Sequence, residues 1–283
     1  MRVGYLGPEG TNTQDALLAD TAGHEFEMVP LVTIYDTVMA VRDGLVTRAL
    51  VPIENSLEGS VNATLDALAF ETDEVRIVGE VVAPIEHCLI ARPGVSIEQV
   101  QTVISHPQAN AQCGHFLRTR LARVPVLAAS STADAVRMVA GQEPPWAAIG
   151  SRLAAERYGC TVLLAGIEDS AGNETRFVWL ARERAAGEED EAAGPQSSWK
   201  TAIVFWGAGS EAPGWLVACL GELAARDVNM TRIESRPRRQ GLGRYMFFVD
   251  IEGREDDPGV AAALARLRER VEHLRVLGSF PAA

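Results

Sequence analysis

Val3-Gly4-Tyr5-Leu6-Gly7-Pro8-Glu9-Gly10-Thr11-Asn12-Thr13-Gln14-Asp15-Ala16-Leu17-Leu18 is the stretch from which the class of fold is read. Val3 to Leu6 is an apolar run of strand length, and Gly7-Pro8 ends it. Thr11 stands where an N-cap belongs, before an alanine- and leucine-bearing segment predicted as helix over 13–22. Strand, glycine-rich turn and helix in succession form the repeating unit of an α/β protein with mostly parallel strands. The unit recurs, with further strands predicted over 49–53, 77–83, 87–91, 102–104, 126–128, 147–149, 162–164 and 176–180. Helices are predicted between them over 34–43, 60–69, 108–121, 132–140 and 151–157.

Residues 182–199 interrupt the alternation. Glu188, Glu189, Asp190 and Glu191 precede Ala-Ala-Gly-Pro-Gln-Ser-Ser, a stretch without periodicity and with little to bury, which reads as a linker. Beyond it, strand 200–207, helix 213–225, strands 229–236 and 244–250, helix 258–270 and strand 273–279 give βαββαβ, a ferredoxin-like unit.

The chain has 283 residues, enough for two domains, and its 47% hydrophobic and 23% charged residues are those of a folded globular protein. Its 26 basic and 38 acidic residues give a net charge of −12, and Lys200 is the one lysine. An acidic chain without basic clusters is a poor partner for nucleic acid or an anionic membrane. No apolar run reaches the roughly 18 residues of a membrane span, and Met1-Arg2-Val3-Gly4-Tyr5 lacks a signal-peptide layout, so a cytoplasmic protein is expected. Cys88, Cys113, Cys160 and Cys219 form no CxxC and read as buried, reduced thiols. The five histidines offer no HxxxH or HExxH spacing, so no metal is expected.

Four polar segments sit at predicted strand ends, where open α/β sheets gather their ligands. Gly7-Pro8-Glu9-Gly10-Thr11 opens a helix and turns backbone N–H groups and the positive helix end toward one spot, suited to a carboxylate. Its spacing is neither a P-loop nor GxGxxG, so no cofactor is expected. Asn55 and Ser56 lie in Val51-Pro52-Ile53-Glu54-Asn55-Ser56-Leu57-Glu58-Gly59-Ser60, where Ser60 also reads as an N-cap and Asn55 as an Asx-turn. Ser105-His106-Pro107-Gln108-Ala109-Asn110-Ala111-Gln112 brings Ser105 and Gln112 toward a common pocket, with His106 as a cap or core residue. In Asn173-Glu174-Thr175-Arg176-Phe177, Arg176 offers a bidentate fork for a carboxylate, or pairs with a neighbouring acid.

In this order the segments GYLGPEGT, VPIENSLEGSVNATLD, SHPQANAQC, AAIGSRLAAERYG and NETRF resemble the prephenate dehydratase family over nearly the whole chain. PGWL and IESRP resemble the ACT regulatory domain that follows the catalytic region in that family. The resemblance implies two lobes like those of type II periplasmic binding proteins, followed by a ferredoxin-like βαββαβ ACT domain. The catalytic region would be 1–181, one lobe at 1–77 plus 162–180 and the other at 78–161, then the linker and an ACT domain at 200–280. It implies a lyase that converts prephenate to phenylpyruvate for L-phenylalanine synthesis without cofactor or metal. Thr175 is implied as catalytic, with Thr11, Asn55, Ser56, Ser105, Gln112 and Arg176 binding substrate.

L-phenylalanine is implied as an effector, bound between ACT domains of a homodimer or homotetramer near Gly214-Trp215-Leu216 and Glu234-Ser235-Arg236-Pro237. Two positions depart from the family pattern. Asn12 stands where the family has phenylalanine, so either a cleft-lining apolar contact is lost or the local turn is altered. Trp215 stands where it has alanine: the ring either reshapes the effector pocket and weakens control, or packs as an ordinary helix residue. Arogenate is an alternative substrate, and a silent amino-acid or prephenate sensor an alternative role.

Overall fold

The computed structural model describes residues 1–182, 198–207, 209 and 211–283. The acidic part of the expected linker lies outside the described residues. The chain begins with β1 (Arg2–Leu6), α1 (Asn12–Asp20), β2 (Glu27–Leu31), α2 (Ile34–Arg42) and β3 (Arg48–Asn55). Next come the two-residue β4 (Gly59–Ser60), α3 (Asn62–Phe70), the long β5 (Val75–Pro84) and β6 (Cys88–Ala91). β7 (Thr102–Ser105), α4 (Pro107–Gln112), α5 (Gly114–Arg120), β8 (Val126–Ala128), α6 (Thr132–Ala140) and β9 (Trp146–Gly150) continue the alternation. α7 (Arg152–Arg157), β10 (Thr161–Ala165) and β11 (Glu174–Arg182) complete it.

A six-stranded sheet runs in the order β2-β1-β3-β11-β5, with β4 paired to β3, and a five-stranded sheet in the order β10-β6-β9-β7-β8. All four residues of β6 and all four of β7 are buried, the pattern of strands covered on both faces. α6 follows from its sequence: Ser131 Oγ accepts the Asp134 N–H, and Ala133, Val136 and Val139 recur at helical spacing on the buried side.

Several expectations are corrected. β2 is an added strand, hidden from pattern reading by Pro30, which is tolerated because β2 is a sheet edge. The helix expected over 108–121 is two, broken at Cys113 (φ −108°, ψ 20°) where Gly114 follows. Ser60 is no N-cap; α3 starts after Val61. The second sheet is mixed, since β6 runs antiparallel to both β9 and β10. Pairing of Thr161 with Ala91 also places 161–165 in that sheet, so the expected return to the first lobe at 162 comes after Ala165.

Beyond the undescribed stretch, β12 (Trp199–Trp206), α8 (Trp215–Ala224), β13 (Met230–Pro237), β14 (Tyr245–Glu252), α9 (Pro258–Arg270) and β15 (His273–Pro281) form the expected βαββαβ. Its antiparallel sheet has the order β13-β14-β12-β15. Ile203, Phe205, Val249 and Ile251 meet Cys219 and Leu223 of α8 and Leu264 and Leu267 of α9 in its core.

The described residues divide into two compact units, one of 1–37, 50–59 and 82–177, the other of 38–49, 60–81 and 178–283. The second therefore joins the βαββαβ sheet to α3 and most of β5. Here Lys200 Nζ donates to Glu80 Oε1 at 2.7 Å, and the same oxygen, fully shielded from solvent, accepts the Ala283 N–H at 3.0 Å. Gly278 of β15 lies so close to β5 that a Cβ would fall on the Ile77 carbonyl oxygen.

Candidate active site

Three of the four polar segments converge within the first unit around Asn55, at the end of β3. Its side-chain oxygen accepts the N–H groups of Leu57 and Glu58, each at 3.1 Å, which is the Asx-turn that shapes the loop. Its Nδ2 faces Asn173 Oδ1 at 2.7 Å, Thr175 Oγ1 at 3.0 Å and the Glu174 carbonyl at 3.1 Å. Ser56 fixes the same junction: its N–H donates to the Glu174 carbonyl and its Oγ accepts the Glu174 N–H, both at 2.9 Å.

Gln112, at the end of α4, joins from the other sheet. Its Oε1 lies 2.8 Å from His87 Nε2 and accepts Asn173 Nδ2 at 3.3 Å, while its Nε2 donates to Glu58 Oε1 at 3.1 Å. With Asn173 already donating to that oxygen, His87 presents Nε2–H to it. A hydrogen-bonded chain thus runs from His87 through Gln112, Asn173 and Asn55 to Thr175. Thr175 is 9% exposed, and among the described residues none accepts its hydroxyl proton. Beside Gln112, Cys113 is fully buried and its thiol is pushed up to about 12, first by burial and then by Glu168 and Asp169. It is therefore no thiolate nucleophile.

Three expected binding residues are placed otherwise. Thr11 caps α1: its Oγ1 donates to the Leu6 carbonyl at 2.9 Å and accepts the Gln14 N–H at 3.3 Å. The Gly10 N–H is likewise taken by Gln14 Oε1, at 2.6 Å. Ser105 is fully buried and gives its hydroxyl to the Ile149 carbonyl at 2.7 Å. Arg176 follows Thr175 in a strand, so its side chain points to the opposite face, where it meets Glu54 at 3.5 Å. Sequence reading missed His87, Asn173 and Glu58. Asn173 and Glu58 lay inside quoted motifs, whereas nothing local marks His87, which is 25 residues from Gln112.

In the second unit, Gly214 (φ +81°) begins α8 in the left-handed region, which favours glycine. Trp215 packs its ring 6.2 Å from that of Phe205 and 6.1 Å from that of Phe247, and its Nε1 donates to the Arg270 carbonyl at 3.3 Å. Leu216 packs against the same core. The Glu234-Ser235-Arg236-Pro237 run is divided by the pleat of β13, Ser235 and Pro237 on one face and Glu234 and Arg236 on the other.

A family model described as prephenate dehydratase matches residues 3–185, and one described as ACT domain matches 212–269. This chain belongs to the prephenate dehydratase family. Membership makes it a lyase of aromatic amino-acid biosynthesis with a C-terminal ACT domain. A prephenate dehydratase of Mycolicibacterium vanbaalenii is 38% identical over 293 residues, covering 99% of this chain and 90% of its own. One of Mycobacterium leprae is 39% identical over 290 residues, covering 99% and 87%. Among solved structures, a prephenate dehydratase of Arthrobacter aurescens in complex with L-Phe superposes with a TM-score of 0.88 at 36% identity, covering 99% of this chain and 90% of that one. GqqA, described as a novel type of quorum quenching acylase, superposes at 0.85 with 30% identity, covering 100% and 98%.

Proposed function

We propose that this chain catalyses the decarboxylating dehydration of prephenate to phenylpyruvate in the cytoplasm, for phenylalanine synthesis. One observation carries the reading: the Thr175 oxygen is held by the Asn55 amide at 3.0 Å, so its proton is left for a ligand. Prephenate loses its ring hydroxyl and its ring carboxylate together. The electron pair of the breaking carbon–carboxyl bond enters the ring as carbon dioxide leaves, and the carbon–oxygen bond breaks with its pair on the departing oxygen, which leaves as hydroxide and takes a proton from solvent to become water. Aromatisation supplies the driving force, so the enzyme's task is to stabilise the leaving oxygen.

Thr175 does so as a hydrogen-bond donor, not by full protonation, since an aliphatic alcohol is a weak acid. The bond it accepts from Asn55 strengthens the one it donates. Asn173 and Gln112, each with one amide N–H beyond those spent on Gln112 and Glu58, offer donors to the substrate carboxylates, while Asn55 orients Thr175 and His87 holds Gln112. Arg176 and Thr11 support the site from behind, through Glu54 and through the α1 cap. The acylase likeness fits less well, because acyl transfer by a threonine needs a base on its hydroxyl, and the neighbour of Thr175 is an amide.

L-phenylalanine is the proposed effector, acting through the ACT domain of a homodimer or homotetramer. The L-Phe complex of the Arthrobacter aurescens relative supports this. Trp215 is part of the ACT core through Phe205 and Phe247, which favours the ordinary packing role over a ring free to fill a pocket. The decisive experiment is phenylpyruvate formation from prephenate at neutral pH, wild type beside Thr175→Ala, with arogenate in parallel. Wild-type turnover that falls by about 10²-fold or more in the variant is expected. No turnover of prephenate by the folded wild type, or a variant that keeps most of its kcat, would overturn the reading.

A further inference from the structure

β13 looks two ways. Its register sets Ser235 against Phe247 and, one strand further, Phe247 against Phe205, the two rings on which Trp215 packs. That face carries the segment proposed to take the effector. Glu234 is set against Phe248, and with Arg232 and Arg236 it faces the other side. There Arg232 Nη2 donates to Ser60 Oγ at 2.7 Å, and Ser60 Oγ donates to Glu234 Oε2 at 3.0 Å. One hydroxyl thus bridges a cation and an anion two residues apart. Arg232 is 7% exposed and lies 3.9 Å from the equally buried Asp250, so its guanidinium is a fixed anchor. Arg236 adds a fork onto Asp66 of α3, at 2.8 and 3.2 Å.

Ser60 is five residues beyond Asn55. The chain between them is stiff, because Asn55 Oδ1 ties Leu57 and Glu58, and β4 pairs back onto β3. The same short loop carries Ser56, which holds Glu174, and Glu58, which accepts from Gln112. A displacement of β13 delivered to Ser60 is therefore delivered to the residues around Thr175.

We infer that Ser60 is a positioning residue through which β13 sets the loop of Asn55, and that an amino-acid effector on the Trp215 face changes catalysis by moving this link. The inference rests on the function and effector proposed above. Removing the hydroxyl leaves Arg232 and Glu234, on one face and two residues apart, to pair with each other and release β4.

The test compares wild type, Ser60→Ala and Ser60→Thr as full chains, with three readings: prephenate turnover alone, L-phenylalanine binding by calorimetry, and the effect of L-phenylalanine on turnover. The wild type is expected to show coupling of about 5–150-fold. Ser60→Ala should bind L-phenylalanine within about twofold of wild type yet lose most of that coupling, while Ser60→Thr, which keeps the hydroxyl, retains it. A merely structural role would lower binding, turnover and coupling together, and threonine would not restore the last. Ser60→Ala with intact binding and wild-type coupling overturns the inference and leaves the proposed function standing. A wild type that turns prephenate over but neither binds nor responds to L-phenylalanine overturns both the link and the proposed effector. If Ser60→Ala fails to fold, Glu234→Leu removes the acceptor on the other side of the same bond, and unchanged coupling there refutes the link.

Discussion

Asn55→Asp changes one atom of the hub and leaves its shape. The Oδ1 that holds the loop through Leu57 and Glu58 survives, so the Asx-turn is expected to persist. The changed atom is the donor that lies 2.7 Å from Asn173 Oδ1, 3.0 Å from Thr175 Oγ1 and 3.1 Å from the Glu174 carbonyl. Once an acceptor stands there, two of those contacts set oxygen against oxygen. The third is rescued only if Thr175 turns its proton toward the new carboxylate, away from the leaving oxygen. Loss of one oriented donor costs about 10²–10³-fold in kcat. Leaving a buried acceptor unmatched costs roughly 1–3 kcal/mol, which at about 2–4 °C per kcal/mol lowers Tm by roughly 2–12 °C.

The pH dependence gives the reasoning its sharper edge. A carboxyl facing acceptors is disfavoured as an anion, so its pKa lies above the ordinary carboxylate range. As pH falls through that raised value the group gains a proton, becomes a donor again, and both stability and turnover recover relative to wild type. Phenylpyruvate formation is followed against pH for both proteins, with the acid-driven reaction of prephenate subtracted from enzyme-free controls. A variant keeping more than about a third of wild-type kcat/KM at neutral pH, with an unchanged profile, would refute the placement of Asn55 as the group that orients Thr175.

Two further outcomes follow from local geometry. Tyr5 is fully buried in β1 with no hydrogen-bond partner for its hydroxyl among the described residues, and burial, reinforced by Glu9, pushes its pKa up to about 12. The fold therefore prefers the neutral phenol and loses stability as pH rises from the unfolded value of about 10 toward 12, so Tyr5→Phe should leave neutral-pH Tm unchanged or higher and flatten the alkaline loss; a lower Tm at neutral pH would count against it. Gly278→Ala drives a methyl group into the Ile77 carbonyl, so a drop in Tm of more than about 10 °C, or no soluble protein, is expected, and a variant melting with wild type would contradict the close approach of β15 and β5.

What the residues disclosed in advance was what is local. The β1–turn–α1 unit with its cap at Thr11 and the βαββαβ order are written in short-range periodicity and hydrogen-bonding chemistry. β2 was hidden because its proline is harmless only at an edge, and edges are decided by distant strands. Asn55 and Gln112 were singled out as polar groups near strand ends and Thr175 by family resemblance, but their meeting depends on β3, α4 and β11 packing together. The opposite orientation of Arg176 was legible all along: a residue next to Thr175 in a strand cannot share its face. His87 carried no such mark, because only the fold brings it to Gln112.

The pairing of Lys200 with a shielded Glu80 has a practical side. Every other basic side chain in this sequence is an arginine or a histidine, so Lys200 holds the molecule's only ε-amine. An amine-directed reagent meets one internal target, pinned by its carboxylate partner between β12 and β5. The rate at which that amine is acylated reports how often the pair with Glu80 breaks, a labelling probe supplied by nature without any substitution.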